Sequence, residues 1–206
     1  MKKFFKTKLF IMFMLAFSGL FAGTGTFDLK VGPYFSALNT TGILAGLGVG
    51  HDFDEVVGLH FDLDMIYSGK TESKNIGTTT SASGLTQTET LVDLRRKIFL
   101  FPLTANLRFT IPIGFIIKPY LGGGFGYNLL IESVSTPVTS QINLYGYIVW
   151  RLGLGGKINL GSNSSLSLGA FYNHSKPRLW GSTGLYNYTS VDMRGACIEL
   201  VLTVKK

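Results

Sequence analysis

The stretch that decides the fold is residues 98–131, IFLFPLTANLRFTIPIGFIIKPYLGGGFGYNLLI. Its first part, Phe99–Phe109, places an apolar side chain at every second position, and its second part, Ile117–Ile131, repeats the alternation. The segment between them, Thr110–Phe115, contains a proline and a glycine, which favour a turn. Alternation with a period of two predicts strands whose two faces meet different surroundings. The stretch therefore predicts a long antiparallel hairpin.

The two faces of this hairpin differ in chemistry. One is continuously apolar, and the other carries glycine, asparagine and charged residues such as Arg108 and Lys118. Such a wall fits between lipid and a polar interior. The alternation recurs along the chain and predicts eight strands and no helix. Besides the hairpin, strands are predicted at 26–35, 43–50, 57–67, 142–158, 165–173 and 196–204.

The connections between the predicted strands alternate in length. Tight turns are predicted at Asp52–Glu55, Thr110–Phe115 and Gly161–Ser164, with longer polar connections between them. Transmembrane barrels place short turns at one end and long loops at the other. We therefore predict an all-β chain that folds as an eight-stranded antiparallel up-and-down transmembrane β-barrel. The longer connections are predicted at 37–42, 68–88, 132–140 and 176–188.

The beginning of the chain predicts export. Four lysines precede the apolar run Leu9–Phe17 and the small residues of Ser18–Gly25, as in a secretory signal peptide. We predict a signal peptide at 1–23 and one barrel domain at 24–206. Loss of its four lysines lowers the formal charge from +7 to +3, so the basic character indicates no nucleic-acid partner. Cys197, the single cysteine, excludes an internal disulfide framework.

Two motifs resemble the OmpA/OmpX-like outer-membrane barrels of Gram-negative envelopes, a porin-family β-barrel domain. One is Phe101–Leu103 followed by Leu107–Phe109, and the other is the glycine-rich segment 118–126. The resemblance covers nearly the whole chain after the signal peptide. It implies location in the bacterial outer membrane and a role in membrane integrity or in contact with a host or ligand. The chain ends Thr203–Lys206, where such barrels usually show a terminal aromatic residue.

Charged residues on the inward parity of the strands predict a network in the barrel interior, the lumen. A buried charge must be paired, so we expect the opposite charges to neutralise each other. This interpretation is preferred to a catalytic carboxylate pair and to a metal site at His60, Asp62 and Asp64, and we expect no cofactor. The predicted lumen network comprises Asp28, Lys30, His60, Asp62, Asp64, Arg108, Lys118, Arg151 and Glu199.

Three other classes of protein compete with this interpretation. His174 and Ser175, with Asp192, resemble the residues of lipid A deacylase barrels, but neighbouring strand residues point to opposite faces. We therefore expect no enzyme activity. A small solute channel is the main alternative function, and a soluble lipocalin-like binder is the alternative architecture. The glycine-rich face and the one-sided loop lengths favour the membrane barrel over the soluble one.

Two groups of residues are predicted to meet partners outside the barrel. Arg95 and Lys97 lie on the lipid parity, where they could reach phosphates of outer-membrane lipid. The last long connection has the aromatic and arginine content of contact hot spots, which suits an extracellular or host-surface ligand. We expect a monomer. The predicted loop contacts are Arg178, Trp180, Tyr186 and Tyr188.

Aromatic residues on the outward parity predict two girdles at the membrane interfaces. The outer girdle is predicted at Phe35, Tyr67, Phe99, Tyr127, Trp150 and Tyr172. The inner one is predicted at Phe27, Phe53, Phe109 and Phe115. An eight-stranded barrel is narrow enough for side chains to fill it. Large inward residues are predicted to close the lumen, namely Tyr34, Leu44, Tyr120, Leu130, Tyr145, Tyr147 and Phe171.

Overall fold

The computed structural model describes residues 25–38, 40–79, 88–135, 140–182 and 190–206. In these ranges the regular structure consists of β-strands. None of these residues belongs to a helix long and apolar enough to cross a bilayer. The strands are β1 (Gly25–Ser36), β2 (Thr40–Asp52), β3 (Val57–Thr79), β4 (Thr88–Thr110), β5 (Ile117–Ser135), β6 (Ser140–Asn159), β7 (Ser164–Ser175), β8 (Arg178–Ser182) and β9 (Gly195–Lys205).

The strands form one closed antiparallel wall. Each strand from β1 to β6 pairs with the next along the chain, and β9 joins β7 to β1. The short strand β8 is not an additional wall strand. It pairs with β6 at Asn143–Gly146, beyond the end of the β6–β7 ladder at Val149, so β7 and β8 together occupy one place in the wall. The predicted eight-stranded up-and-down barrel is confirmed.

The hairpin that decides the fold is formed by β4 and β5. Their ladder runs from Arg95 opposite Ser135 to Thr110 opposite Tyr120, and residues 111–116 make the turn. Backbone pairing over this length satisfies the amides and carbonyls that lipid cannot. The predicted hairpin is therefore confirmed, with both strands longer than their apolar parts.

Two predicted loops contain strand. β3 and β4 stay paired from Ser68 opposite Ile98 out to Thr79 opposite Thr88, so the predicted loop at 68–88 is wrong for most of its length. Residues 80–87 lie outside the described residues. Polar composition indicated a loop, but threonine is β-branched and favours strands. The predicted loop at 176–188 likewise contains β8.

The inside and outside of the barrel have opposite chemistry. Inward residues in the described ranges are largely buried and include eight buried charged side chains, whereas outward residues are exposed and largely apolar. A soluble protein rarely exposes an apolar surface of this extent. The apolar face therefore suits lipid, and the lipocalin-like arrangement, with an apolar interior and a polar surface, is excluded.

The residues of the two predicted girdles lie on the outer wall. Tyr67 and Phe99 pack with ring centroids 5.0 Å apart, and Trp150 lies 6.0 Å from Tyr172. The other predicted members of the outer girdle, and all four of the inner girdle, are exposed on the same wall. Their depth in a bilayer stays a prediction.

The depth of Trp150 can be measured in a Trp180→Phe variant, where it is the sole tryptophan. Interfacial aromatic belts lie at headgroup level. Lipids brominated near the headgroup should therefore quench its fluorescence more than lipids brominated near the chain ends. Strongest quenching from the chain ends, or no quenching at all, would show that the predicted girdle is wrong.

Candidate functional site

Glycines make room for the lumen charges. Gly48 on β2 lies directly opposite Asp62 on β3, and a Cβ at Gly48 would collide with the Asp62 carboxylate. A Cβ at Gly155 on β6 would lie 2.6 Å from Cζ of Tyr120. Strand glycines of this kind permit close approach of a neighbouring group. The inward glycine pattern thus sets where charged and aromatic side chains fit.

The centre of the lumen holds two cations among three carboxylates. Lys30 on β1 pairs with Asp62 and lies 3.7 Å from Asp64 on β3. Arg151 on β6 pairs with Glu199 on β9 and lies 3.3 Å from Asp64. All five side chains are buried. The predicted central pairing is therefore present and joins four strands.

The second part of the network is built around His60. Its Nδ1 lies 3.0 Å from Asp28 on β1, and its Nε2 lies 3.5 Å from Asp52 on β2. Asp28 also accepts a 2.5 Å hydrogen bond from Thr203 and lies 3.6 Å from Arg108. Asp52, which the sequence assigned to a turn, is thus a member of the network.

The structure contains a further charged cluster that sequence reasoning missed. Glu132 on β5 is fully buried, pairs with Arg96, and accepts a 2.7 Å hydrogen bond from Tyr145 and a 3.2 Å bond from Asn143. Strand alternation could have identified this cluster, because Glu132 lies two residues after the inward Leu130 and its side chain therefore also points inward. The outer end of the lumen is therefore also held by a paired charge.

Large side chains fill the remaining space. Tyr34, Leu44, Tyr120, Leu130 and Tyr145 are buried as predicted, and Phe171 is half-buried. The space left in mid-lumen is about 20 Å³, which holds little more than one water molecule. The arginines cover the rings, with Arg151 4.2 Å from the centroid of Phe171 and Arg108 5.2 Å from that of Tyr120.

The prediction that Tyr147 points into the lumen is wrong. Its side chain is 38% exposed, and Arg178 lies over its ring at 5.3 Å. Tyr147 lies where β7 gives way to β8, beside Lys176 and Pro177, which take no part in the β6 ladder. The interruption leaves room for the ring to meet the outward Arg178.

Lys118 differs from the other predicted network residues. It faces inward but is half-buried, and within the described residues it makes no ion pair. It lines a cavity of about 140 Å³ at the end of the barrel that carries the tight turns. The predicted pairing of Lys118 within the network is therefore wrong, because no described carboxylate lies within ion-pair distance of it, although Asp52 lines the same cavity.

The structure separates the residues that resembled a hydrolytic site. His174 stacks on Trp150 on the outer wall, with centroids 5.0 Å apart, while Ser175 is buried. Asp192 accepts several hydrogen bonds from Arg194, among them one of 2.9 Å from Nε and one of 2.5 Å from Nη2, and this arginine lowers the pKa of Asp192. A nucleophile and its base must lie within hydrogen-bond reach. These three residues do not form a catalytic site.

Metal-ligand geometry is also lacking in the described ranges. No three His, Cys, Asp or Glu side chains there are arranged to hold an ion. His60 and Asp62, which were weighed as ligands, bind different partners in the network.

The predicted partner contacts lie on the outer wall. Arg95 and Lys97 are both exposed on β4. Arg178 and Trp180 belong to strand β8 and not to a loop, which corrects their predicted location. Trp180 is exposed and packs on Tyr127 with centroids 5.7 Å apart. The remaining two predicted contacts, Tyr186 and Tyr188, lie outside the described residues.

Solved structures of other proteins have a similar architecture. The crystal structure of Neisserial surface protein A is 18% identical, with a TM-score of 0.53 over 88% of this chain and 96% of that one. A major outer membrane protein from Thermus thermophilus is 13% identical, with a TM-score of 0.54 over 89% and 100% of the two chains. The chain has the fold of the outer-membrane β-barrels. Neither a protein-family model nor a curated protein sequence matches it.

In an outer-membrane barrel of eight strands, the lumen network is surrounded by the wall and then by lipid. Removing one member of a buried ion pair leaves its partner charged and unpaired, which costs about 3–5 kcal/mol. Arg151 contacts two buried carboxylates, Glu199 and Asp64.

We expect Arg151→Ala to lower the free energy of unfolding by about 3–5 kcal/mol, because Glu199 loses its partner and Asp64 keeps only Lys30 at 3.7 Å. Urea unfolding of the refolded barrel in detergent, followed by the gel mobility of unheated samples, measures this. Arg95→Ala is the matched control, since Arg95 is exposed and should leave the midpoint unchanged. Equal midpoints for both variants would refute the stabilising role of the network.

Proposed function

We propose that this chain is a bacterial outer-membrane β-barrel protein with a structural or surface-contact role, exported through a cleaved signal peptide at 1–23. The observation that carries the proposal is the filled lumen. Paired charges and aromatic rings leave a mid-lumen cavity of about 20 Å³, which is too small for a solute larger than water. Recognition is then left to the exposed surfaces, above all at the end with the long connections.

One exposed surface at that end has the chemistry of a contact site. We define the β8 patch as Tyr127, Tyr147, Arg178 and Trp180. Trp180 packs on Tyr127, and Arg178 covers Tyr147, so each of the four large side chains is held by a neighbour. Trp180 and Arg178 are exposed to a partner. Tryptophan, tyrosine and arginine dominate binding hot spots. Ordered rings lose little conformational freedom on binding, which favours affinity.

The same end of the outer wall suits lipid headgroups. Arg95 and Lys97 are exposed on β4 next to Phe99 of the predicted outer girdle. Each basic side chain near an anionic surface contributes about 1 kcal/mol of attraction. We propose that these two residues bind phosphates of outer-membrane lipid and fix the barrel's depth.

The contact role predicts that the β8 patch is required for attachment. Refolded barrels in fluorescent lipid nanodiscs would be incubated with cultured epithelial cells and the retained fluorescence measured. We expect Arg178→Ala with Trp180→Ala to reduce retention about tenfold, the loss typical of removing a hot-spot side chain. Phe115→Ala, which is exposed at the opposite end, is the matched control. Retention that is equal in the double variant and the control would contradict the proposed contact role.

A further inference from the structure

The ion pairs in the centre and at the tight-turn end of the lumen leave Lys118 over. Among the described residues there, five inward carboxylates contact five lysines and arginines, and His60 lies between two of those carboxylates; Glu132 and Arg96 pair separately at the other end. Lys118 also faces inward, and none of these ion pairs includes it. The carboxylates are Asp28, Asp52, Asp62, Asp64 and Glu199, and the cations are Lys30, Arg108, Arg151, Lys157 and Lys205.

The surplus charge lies beside another lysine. Lys118 on β5 is the direct ladder partner of Lys157 on β6, and both face inward. Like charges directly opposite each other destabilise an antiparallel pair. Nζ of Lys157 lies 3.7 Å from the Asp52 carboxylate, and Nζ of Lys205 lies nearer to the same carboxylate, at 3.0 Å. Lys157 and Lys205 therefore share one carboxylate, and Lys118 makes no ion pair in the described structure.

A cavity opens between these charges. It has a volume of about 140 Å³ and is lined by Lys118, Lys157, Lys205 and Arg108. This volume is several times that of a water molecule. Arg108 adds an unused donor, since its Nη1 is buried without a hydrogen-bond partner. Donors from β4, β5 and β6 thus surround one space at the tight-turn end.

Three carboxylates among the described residues, Asp52, Asp54 and Glu55, line the same cavity as the four cations, which leaves a net charge of one positive. Asp54 accepts hydrogen bonds of 2.7 and 2.6 Å from the backbone amides of Val56 and Val57 and so belongs to its own turn. Glu55 is exposed on that turn. Asp52 is shared by two lysines and His60. The cavity therefore offers donors and positive charge to an added anion.

We propose that this cavity, the turn-end mouth, binds a phosphate group, with Lys118, Lys157 and Arg108 as its ligands. A phosphate carries up to two negative charges and several acceptor oxygens, so one group can contact donors from three strands at once. A carboxylate has less charge and only two oxygens. Free phosphate and a phosphomonoester, such as a lipid headgroup, present the same chemistry to the mouth.

Titration calorimetry of the refolded full-length barrel in neutral detergent tests the proposal. Inorganic phosphate, glycerol phosphate and acetate would be titrated separately at constant ionic strength maintained with sodium chloride. We expect saturable binding of one phosphate per barrel and weaker binding of acetate. Equal affinity for the two phosphates indicates that the phosphoryl group alone is recognised, and tighter binding of glycerol phosphate indicates a phosphomonoester as the source. Both results support the site.

Lys118→Gln is the decisive variant, because Lys118 makes no ion pair in the described structure and its loss should not disturb folding. We expect it to weaken phosphate binding about tenfold, the effect of losing one charge-assisted hydrogen bond. Lys176→Gln, at an exposed lysine far from the cavity, should bind as the unmodified protein does. Unheated gel mobility verifies folding of each variant.

Three results would overturn the proposal. They are heats that match dilution into chloride, binding of acetate as tight as that of phosphate, and unchanged affinity in Lys118→Gln. If Lys118→Gln failed to fold, phosphorus NMR of the unmodified barrel with inorganic phosphate would decide. A saturable shift of the phosphate resonance that persists when chloride is added in excess would support the site. A shift that excess chloride abolishes, or no shift at all, would overturn it.

Discussion

Charges inside a narrow barrel have almost no water to share, and this constraint governs the rest of the structure. Lys30 and Arg151 are buried in a lumen whose free space is about 20 Å³, so each must find carboxylates within reach. The carboxylates belong to β3 and β9, two strands that do not pair with each other. Pairing in the middle therefore joins parts of the wall that share no ladder.

The wall responds to that requirement with small residues. Gly48 leaves space for the Asp62 carboxylate, and Gly155 leaves space for the ring of Tyr120. Because the interior is occupied by polar groups, the apolar side chains are left to the outside, where they form the surface that meets lipid. Interior pairing and the exterior apolar wall are thus two consequences of one alternating pattern.

The sequence predicted the wall better than it predicted the site. Side-chain parity is a local property of a strand, so the eight strands, the hairpin at Phe99–Ile131 and the burial of Arg151 followed from alternation. Partner choice depends on register between strands distant in sequence, which alternation leaves open. This is why Asp52 was assigned to a turn although it contacts His60, and why Lys118 was assigned a partner that it lacks.

Polar segments were the other source of error. The segment after Ser68 was assigned to a loop because it cannot bury apolar surface, yet β3 and β4 remain paired to Thr79 and Thr88. A hairpin outside the lipid can form through backbone hydrogen bonds between β-branched residues, and it does not require an apolar face. The prediction that Tyr147 points inward was wrong for a different reason. The break between β7 and β8 is a local irregularity, and the alternation of the sequence does not reveal it.

The central claim is that the paired lumen is closed, and electrical recording in planar bilayers tests it most directly. The refolded barrel would be inserted into a bilayer under voltage, with detergent alone as the control. We predict no steady conductance above that control, because side chains fill an eight-stranded lumen. Steady single-channel currents from the unmodified protein, with an ion selectivity that changes in Arg151→Ala, would contradict the account and indicate a solute channel.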